Sequence, residues 1–134
     1  MEVLMLLCDA AAVAEGKLYI HGGGWSIIRQ PSAPTPMALA IKLSIPWDQT
    51  NEPHQITARL LTEEGDEVDL GAGPIMAQGK IEVGRPSGLK RGTAIDAPLA
   101  LEFGSLALDA GGYVWKLDID GTEMSRAPFR VTTG

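Results

Sequence analysis

The spacing of glycine and proline constrains the fold of this chain more than any other feature. Sixteen glycines and nine prolines interrupt the sequence in clusters about every ten residues. Between these clusters lie short runs in which apolar and polar residues alternate with a period of two, as in strands buried on one face. The pattern predicts short strands rather than helices.

Two segments show the alternation most clearly. Residues 37 to 47 read MALAIKLSIPW, in which every second side chain is a large aliphatic one: Leu39, Ile41, Leu43 and Ile45. The C-terminal segment repeats the pattern with Tyr113, Trp115, Leu117, Ile119, Ala127, Phe129 and Val131. Because alternate side chains of a strand lie on the same face, we expect both sets, including Trp115, in the core.

The dipeptide formed by Asp120 and Gly121 separates the two halves of the C-terminal pattern. Both residue types tolerate the positive φ angles of a tight hairpin turn. Residues 112 to 132 are therefore predicted to form a β-hairpin. The whole pattern predicts an all-β, two-sheet antiparallel β-sandwich, immunoglobulin-like or jelly-roll-like, with about eight strands.

The other predicted strands cover residues 2 to 8, 17 to 29 with an interruption, 54 to 62, 67 to 70, 76 to 83 and 94 to 103. A turn at residues 64 to 66 connects two of them. Loops are expected at residues 31 to 36, 47 to 53 and 84 to 92. Only residues 10 to 15 have helical composition, and Gly16 would end such a helix within two turns.

The chain has the length of one domain, and we predict a single β-sandwich domain over residues 1 to 134. Its hydrophobic fraction of 45% and charged fraction of 21% are sufficient for one buried core. The net charge of -6 has the wrong sign for nucleic acid or an anionic membrane surface, so neither partner is expected.

The N-terminal segment lacks the positively charged region of a secretory signal, since Glu2 stands there, and no stretch reaches the length of a membrane helix. A single cysteine, Cys8, excludes an intramolecular disulfide and a multi-cysteine metal cage. We therefore expect a cytoplasmic protein.

The glycine cluster formed by Gly22, Gly23 and Gly24 has two interpretations. A phosphate-binding loop needs a helix after its glycines, but Trp25 and the apolar residues that follow it are typical of a strand. We expect a bend, at which the strand crosses from one sheet to the other or passes close beneath a large side chain. No cofactor is predicted.

Catalytic and metal-binding patterns are missing from the sequence. His21 and His54 are the only histidines, and neither has metal-ligand spacing to another histidine or to Cys8. Cys8 ends an apolar strand and is expected to be a buried structural thiol, although a dyad with a histidine is an alternative. We predict no metal site, no catalytic residue and no enzymatic activity; a hydrolase relying on Cys8 or His21 remains a third, weaker hypothesis.

The segments LLCDAAAVAEGKLYIHGGGW, PTPMALAIKLSIPWDQTNEPH and GGYVWKLDIDG, followed by RAPFRV, together resemble a family of small bacterial proteins of unknown function. The resemblance covers nearly the whole chain. It implies a free-standing domain of about this length, expected to be a β-sandwich, and no assigned activity or catalytic residue.

Two functions follow from these observations. The first is a non-enzymatic domain that binds a protein partner or itself, with a twofold homodimer favoured, because the apolar residues 3 to 7 must be central, covered or paired with a partner. The alternative is a small-molecule or carbohydrate-binding module that uses Trp25, Trp47 and His54 around one end of a sheet. These three residues are the candidate contact residues.

Overall fold

The computed structural model describes residues 1–30 and 35–133, and these residues form two β-sheets. In chain order the strands are β1 (Glu2–Ala14), β2 (Lys17–Gly23), β3 (Ile27–Gln30), β4 (Thr35–Ile45), β5 (His54–Thr62), β6 (Met76–Ile81), β7 (Ile95–Leu106), β8 (Gly111–Ile119) and β9 (Thr122–Thr133). A short 3₁₀ turn, Trp47–Gln49, lies between β4 and β5. The predicted all-β, two-sheet fold is confirmed.

The four-stranded sheet has the order β2-β1-β4-β7, and the five-stranded sheet has the order β3-β9-β8-β5-β6. All pairs are antiparallel except β3 with β9. The β5-β8-β9 and β4-β7 pairings correspond to the C-F-G and B-E pairings of immunoglobulin-like sandwiches. The Tyr113 hydroxyl also donates a hydrogen bond to the Asp109 carbonyl oxygen (2.8 Å), as the tyrosine corner of that architecture does. The strand pairings are of the immunoglobulin-like type, but the fourth strand differs: β2 pairs with β1, and no described strand lies beyond β7, where strand D pairs in that fold.

The core lies between the two sheets and receives side chains from both. Leu39, Ile41 and Leu43 of β4 belong to the same buried cluster as Trp115 and Leu117 of β8. The alternation seen in the sequence therefore reflects burial of one face of each strand.

Trp115 is fully buried, as the sequence predicts. Its ring stacks on Phe103 with a centroid distance of 4.1 Å, and its indole nitrogen donates to the Met37 sulfur at 3.1 Å. Phe103 belongs to β7 and Met37 to β4, so this side chain joins β8 to two strands of the facing sheet.

Two hairpins have the turn chemistry that tight connections require. Asp120 and Gly121 have φ values of 52° and 81° between β8 and β9, which confirms the predicted C-terminal hairpin. Glu15 and Gly16 have φ values of 52° and 72° between β1 and β2. Positive φ at both central positions is typical of the type I′ turn.

The suggested helix at residues 10 to 15 is wrong. These residues continue β1 to Ala14 and enter the hairpin turn, with Ala10 to Ala14 paired to β2. Alanine has high helical propensity, but five consecutive pairings to β2 outweigh a preference of a few tenths of a kcal/mol per residue. The distal half of this hairpin contributes Ala11 and Leu18 to a small second cluster with Cys8, Ala38 and Ala40.

Other predicted boundaries are corrected by the structure. Residues 67 to 70 form no strand and make only the isolated bridges from Glu67 and Asp69. The strand predicted at 76 to 83 ends at Ile81, and the strand predicted at 94 to 103 extends to Leu106. The predicted turn at residues 64 to 66 is confirmed, because the Gly65 amide bonds to the Thr62 carbonyl oxygen (2.9 Å). The loop predicted at 31 to 36 lies mostly outside the described residues, and β4 begins within it at Thr35.

The glycine cluster marks the point at which the chain changes sheets. β2 ends at Gly23 in the four-stranded sheet, and β3 begins at Ile27 in the five-stranded sheet. Gly22 and Gly24 have positive φ angles, and a side chain at Gly22 would meet the carboxylate of Asp9. The predicted bend is therefore confirmed in its first form, a crossing from one sheet to the other; the side chain next to Gly22 is the small one of Asp9.

Candidate functional site

His54 begins β5 and is buried, with 3% of its surface exposed. Its Nδ1 atom lies 2.7 Å from the Asp120 carboxylate, and its Nε2 atom lies 2.7 Å from the Gln49 carbonyl oxygen. The His54 side chain therefore connects β5 by hydrogen bonds to both the β8–β9 turn and the 3₁₀ turn. It forms an internal connection rather than an exposed contact surface.

Both ring nitrogens of His54 face acceptors, so only the doubly protonated imidazolium donates to both. The hydrogen bond to Asp120 and then the bond to Gln49 raise the pKa of His54 above its ordinary value of 6.5, against the opposing effect of burial. The same contact, together with the Gln55 amide, lowers the pKa of Asp120. Each of the two pKa shifts therefore favours the charged form of its own group.

Trp47 lies at the same end of the sandwich as His54, in the 3₁₀ turn that contains Gln49. The Arg85 guanidinium covers one face of its ring at 4.1 Å from the centroid, and Arg85 also donates to the Trp47 carbonyl oxygen (2.6 Å). An open groove of about 620 Å³ runs past Trp47 and is also lined by Glu2 and Ser44. A sugar ring stacking on the covered face of Trp47 would have to displace Arg85.

Trp25 lies at the opposite end of the sandwich. Its ring packs edge-on against Phe129 at 6.1 Å, and its indole nitrogen donates to Asp9 (3.1 Å). Phe129 is opposite Tyr113 near the start of β8, whereas His54 contacts Asp120 just after the end of β8. Seven strand residues separate these levels by about 20 Å. The structure brings Trp47 and His54 to one end and does not bring Trp25 to them.

Cys8 is fully buried, and its Sγ atom is 3.5 Å from the Ala38 carbonyl oxygen. Burial, followed by the charges of Asp9 and Glu102, raises the pKa of this thiol. Within residues 1–30 and 35–133, histidine, cysteine and acidic side chains form no group of three that could hold a metal ion. In the same part of the chain no helix has both the length and the apolar character needed to cross a membrane.

The N-terminal half of β1 provides a feature that was only partly foreseen from the sequence. Residues 2–8 pair with β4 on one side, but β2 pairs with β1 only from Cys8 onward. The Gly24 amide bonds to the Leu7 carbonyl oxygen (2.8 Å), and the chain then leaves for the other sheet. Among the described residues no strand pairs with the second side of residues 2–6. We call this open side the β1 edge.

Apart from the exposed Glu2 at its start, the side chains of the β1 edge are apolar on both faces of the sheet. Leu4 and Leu6 point outward with 59% and 37% of their surface exposed. Val3 and Met5 point inward but are only partly buried against the core. Residues 3–6 contain no charge and no proline.

The remaining open edges of the described sandwich carry features that discourage pairing. β2 and β6 contain Lys17 and Lys80, while β3 has only four residues and includes Arg29. β7 contains Pro98, and the part of β9 that β3 leaves open contains Pro128. Lysine, proline and short length are the devices by which natural sheets protect their edges. By this comparison the β1 edge, where Glu2 at the start is the one charged residue, is the least protected in the described structure.

Comparison with known proteins adds a family without an assigned activity. No curated protein and no solved structure matches the chain. The model of the Family of unknown function (DUF6941) matches residues 3–132, which includes residues 3–6 of the β1 edge, the glycine bend and the turns of both hairpins. The chain therefore belongs to this family of unknown function.

Proposed function

We propose that this protein is a non-enzymatic, self-assembling β-sandwich whose β1 edge pairs with the same edge of a second copy. The observation that carries the proposal is the weakly protected β1 edge, which combines unpaired backbone with the exposed side chains of Leu4 and Leu6. Unpaired backbone groups at an exposed apolar edge are a template for strand addition.

When two β1 edges pair antiparallel about a twofold axis, the unpaired backbone groups of both copies form the same hydrogen bonds. A register centred on Met5 places Leu4 of one copy opposite Leu6 of the other, so the four exposed leucines form one cluster. The two four-stranded sheets then become one continuous sheet of eight strands. Val3 and Met5 lose their remaining exposure in the same step.

The non-enzymatic part of the proposal is supported by the state of the residues that could act as nucleophile or base. Cys8 is buried with a raised pKa, which disfavours the reactive thiolate. Both nitrogens of His54 are occupied by Asp120 and Gln49. A buried free thiol is also consistent with a reducing compartment, so we propose the cytoplasm as the location.

Light scattering coupled to size-exclusion chromatography tests the assembly. We expect the wild-type mass to approach twice 14.2 kDa as concentration rises. The Leu4→Glu variant should remain near 14.2 kDa, because its carboxylate repels its counterpart across the axis but lies beside Lys42 within one copy. The variant therefore separates assembly from folding.

Leu70→Glu is the matched control, since Leu70 is comparably exposed in a loop outside both sheets. It should assemble like the wild type. A wild-type mass of 14.2 kDa at every concentration contradicts self-assembly. If the Leu4→Glu variant still assembles, the contact between copies lies outside the β1 edge.

A further inference from the structure

Charge is unevenly distributed between the five-stranded sheet and the rest of the molecule. The strands of that sheet contain six basic residues and two acidic ones, whereas the remainder contains five basic and fifteen acidic residues. The basic residues all belong to the outward face, which alternates with the buried one: Arg29, Arg59, Lys80, Lys116, Arg126 and Arg130. A chain of net charge -6 thus has one cationic face.

Three of these cations form a row across adjacent strands. Arg59 of β5 is directly opposite Lys116 of β8, and Lys116 is directly opposite Arg126 of β9. Like charges at directly opposite positions destabilise a sheet. The alignment of the three cations therefore lowers the stability of the isolated domain. An anionic partner that lies across the row is attracted by all three of them.

The carboxylates on this face compensate the cations only in part. Arg126 bonds to Glu123 and Arg130 bonds to Glu63, each at 2.8 Å, but the contacts of Arg59 and Lys116 with Asp118 are 3.9 and 3.8 Å. These two distances are longer than a hydrogen bond, so the donors of both cations remain available to a ligand. The Oδ1 atom of Asp118 is buried and makes no hydrogen bond in the described structure.

An apolar row lies beside the cationic one. Leu61 of β5, Val114 of β8 and Pro128 of β9 are directly opposite one another, two residues along each strand from Arg59, Lys116 and Arg126. Val114 is itself buried, with 8% of its surface exposed, and it lines an open groove of about 560 Å³ together with Pro128, the exposed Ile27 and the acidic Glu63. The face therefore presents a partly exposed apolar groove beside the cationic row.

We propose that this face binds an acidic peptide segment of another protein, in which carboxylate and aliphatic side chains lie close together. The carboxylates match Arg59, Lys116 and Arg126, and the aliphatic side chains match the apolar row. A peptide fits better than nucleic acid because the fifteen acidic residues on the rest of the chain repel an extended polyphosphate. This site lies on the opposite sheet from the β1 edge and does not depend on self-assembly.

Fluorescence anisotropy with a labelled ten-residue peptide of alternating glutamate and valine tests the proposal. We expect saturable binding that weakens as NaCl rises from about 50 to about 500 mM. The double variant Lys116→Gln, Arg126→Gln should weaken binding at least about fivefold. The matched double variant Lys17→Gln, Lys90→Gln removes the same charge outside this sheet and should bind like the wild type.

The same measurement distinguishes other occupants. A peptide of alternating lysine and valine should not bind, and an oligonucleotide should bind more weakly than the acidic peptide. Tighter oligonucleotide binding, equal loss in both double variants, or no acidic-peptide binding by the folded wild type overturns the proposal. If the Leu4→Glu variant still self-associates, and adding Lys116→Gln and Arg126→Gln to it abolishes that self-association, the face binds a second copy of the chain. This result would also overturn the proposal.

Discussion

The imidazole of His54 lies 2.7 Å from the carboxylate of Asp120, which joins the first residue of β5 to the turn between β8 and β9. Asp120 itself has a φ of 52°, and its second oxygen accepts the Gln55 amide hydrogen at 2.9 Å. One half-exposed carboxylate thus contributes to a tight turn, a strand contact and a hydrogen bond with a buried imidazole.

This contact predicts a pH dependence of stability. The pKa of folded His54 is raised above 6.5, so its contribution is complete below pH 6.5 and is lost as pH rises through the folded value. The pKa of Asp120 is lowered below 3.8, so its contribution is complete above pH 3.8 and is lost as pH falls through its folded value. The free energy of unfolding, measured with urea, should be lower at alkaline pH than between pH 3.8 and pH 6.5.

The Asp120→Asn variant provides the control for that prediction. Asparagine tolerates positive φ, so the turn is kept while the carboxylate that most raises the His54 pKa is removed. The alkaline loss of stability should shrink in this variant. An unchanged pH profile would assign the loss to another group.

Replacing Gly121 with valine should reduce the free energy of unfolding by about 1 kcal/mol or more, because a β-branched residue disfavours positive φ. Gly121 has a φ of 81° and open space around its Cα atom, so the effect reports backbone conformation alone. Gly79→Val is the matched control, since Gly79 lies in β6 with open space and without positive φ. Equal melting temperatures for Gly121→Val and the wild type would contradict the hairpin geometry.

Cys8 should be inert toward a thiol reagent in the native protein and should react after denaturation. The side chain is fully buried, and desolvation raises its pKa, so both access and thiolate formation are suppressed. Labelling with a chromogenic disulfide at neutral pH, with and without urea, measures both rates. Rapid labelling of the native protein would reopen a catalytic role for this thiol.

Trp115→Ala should cost about 3 to 5 kcal/mol of the free energy of unfolding, because it removes the largest buried side chain at the centre of the core. The matched variant Trp47→Ala should cost less, since Trp47 is only partly buried and packs under Arg85 at one end of the sandwich. Chemical denaturation followed by far-ultraviolet circular dichroism gives both values. Similar losses for the two variants would contradict this difference in packing.

The sequence by itself determined the features that depend on neighbouring residues. The alternation around Leu39 and Trp115 specifies which faces are buried, since side chains of a strand point to opposite faces in turn. Asp120 and Gly121 specify their turn because they accept positive φ at low cost. The bend at Gly22 to Gly24 follows from the same backbone freedom.

Tertiary structure decided what depends on pairing between distant segments. Residues 10 to 14 became strand because β2 pairs with them, and the β1 edge is open because the chain crosses to the other sheet after Gly24. The cationic row exists only because strand register aligns Arg59 with Lys116, although 56 residues separate them along the chain. Likewise, Trp47 and His54 share one end of the sandwich while Trp25 lies at the other. Local patterns specify the faces of individual strands, but strand order and register arise from long-range pairing and core packing, which no short segment contains.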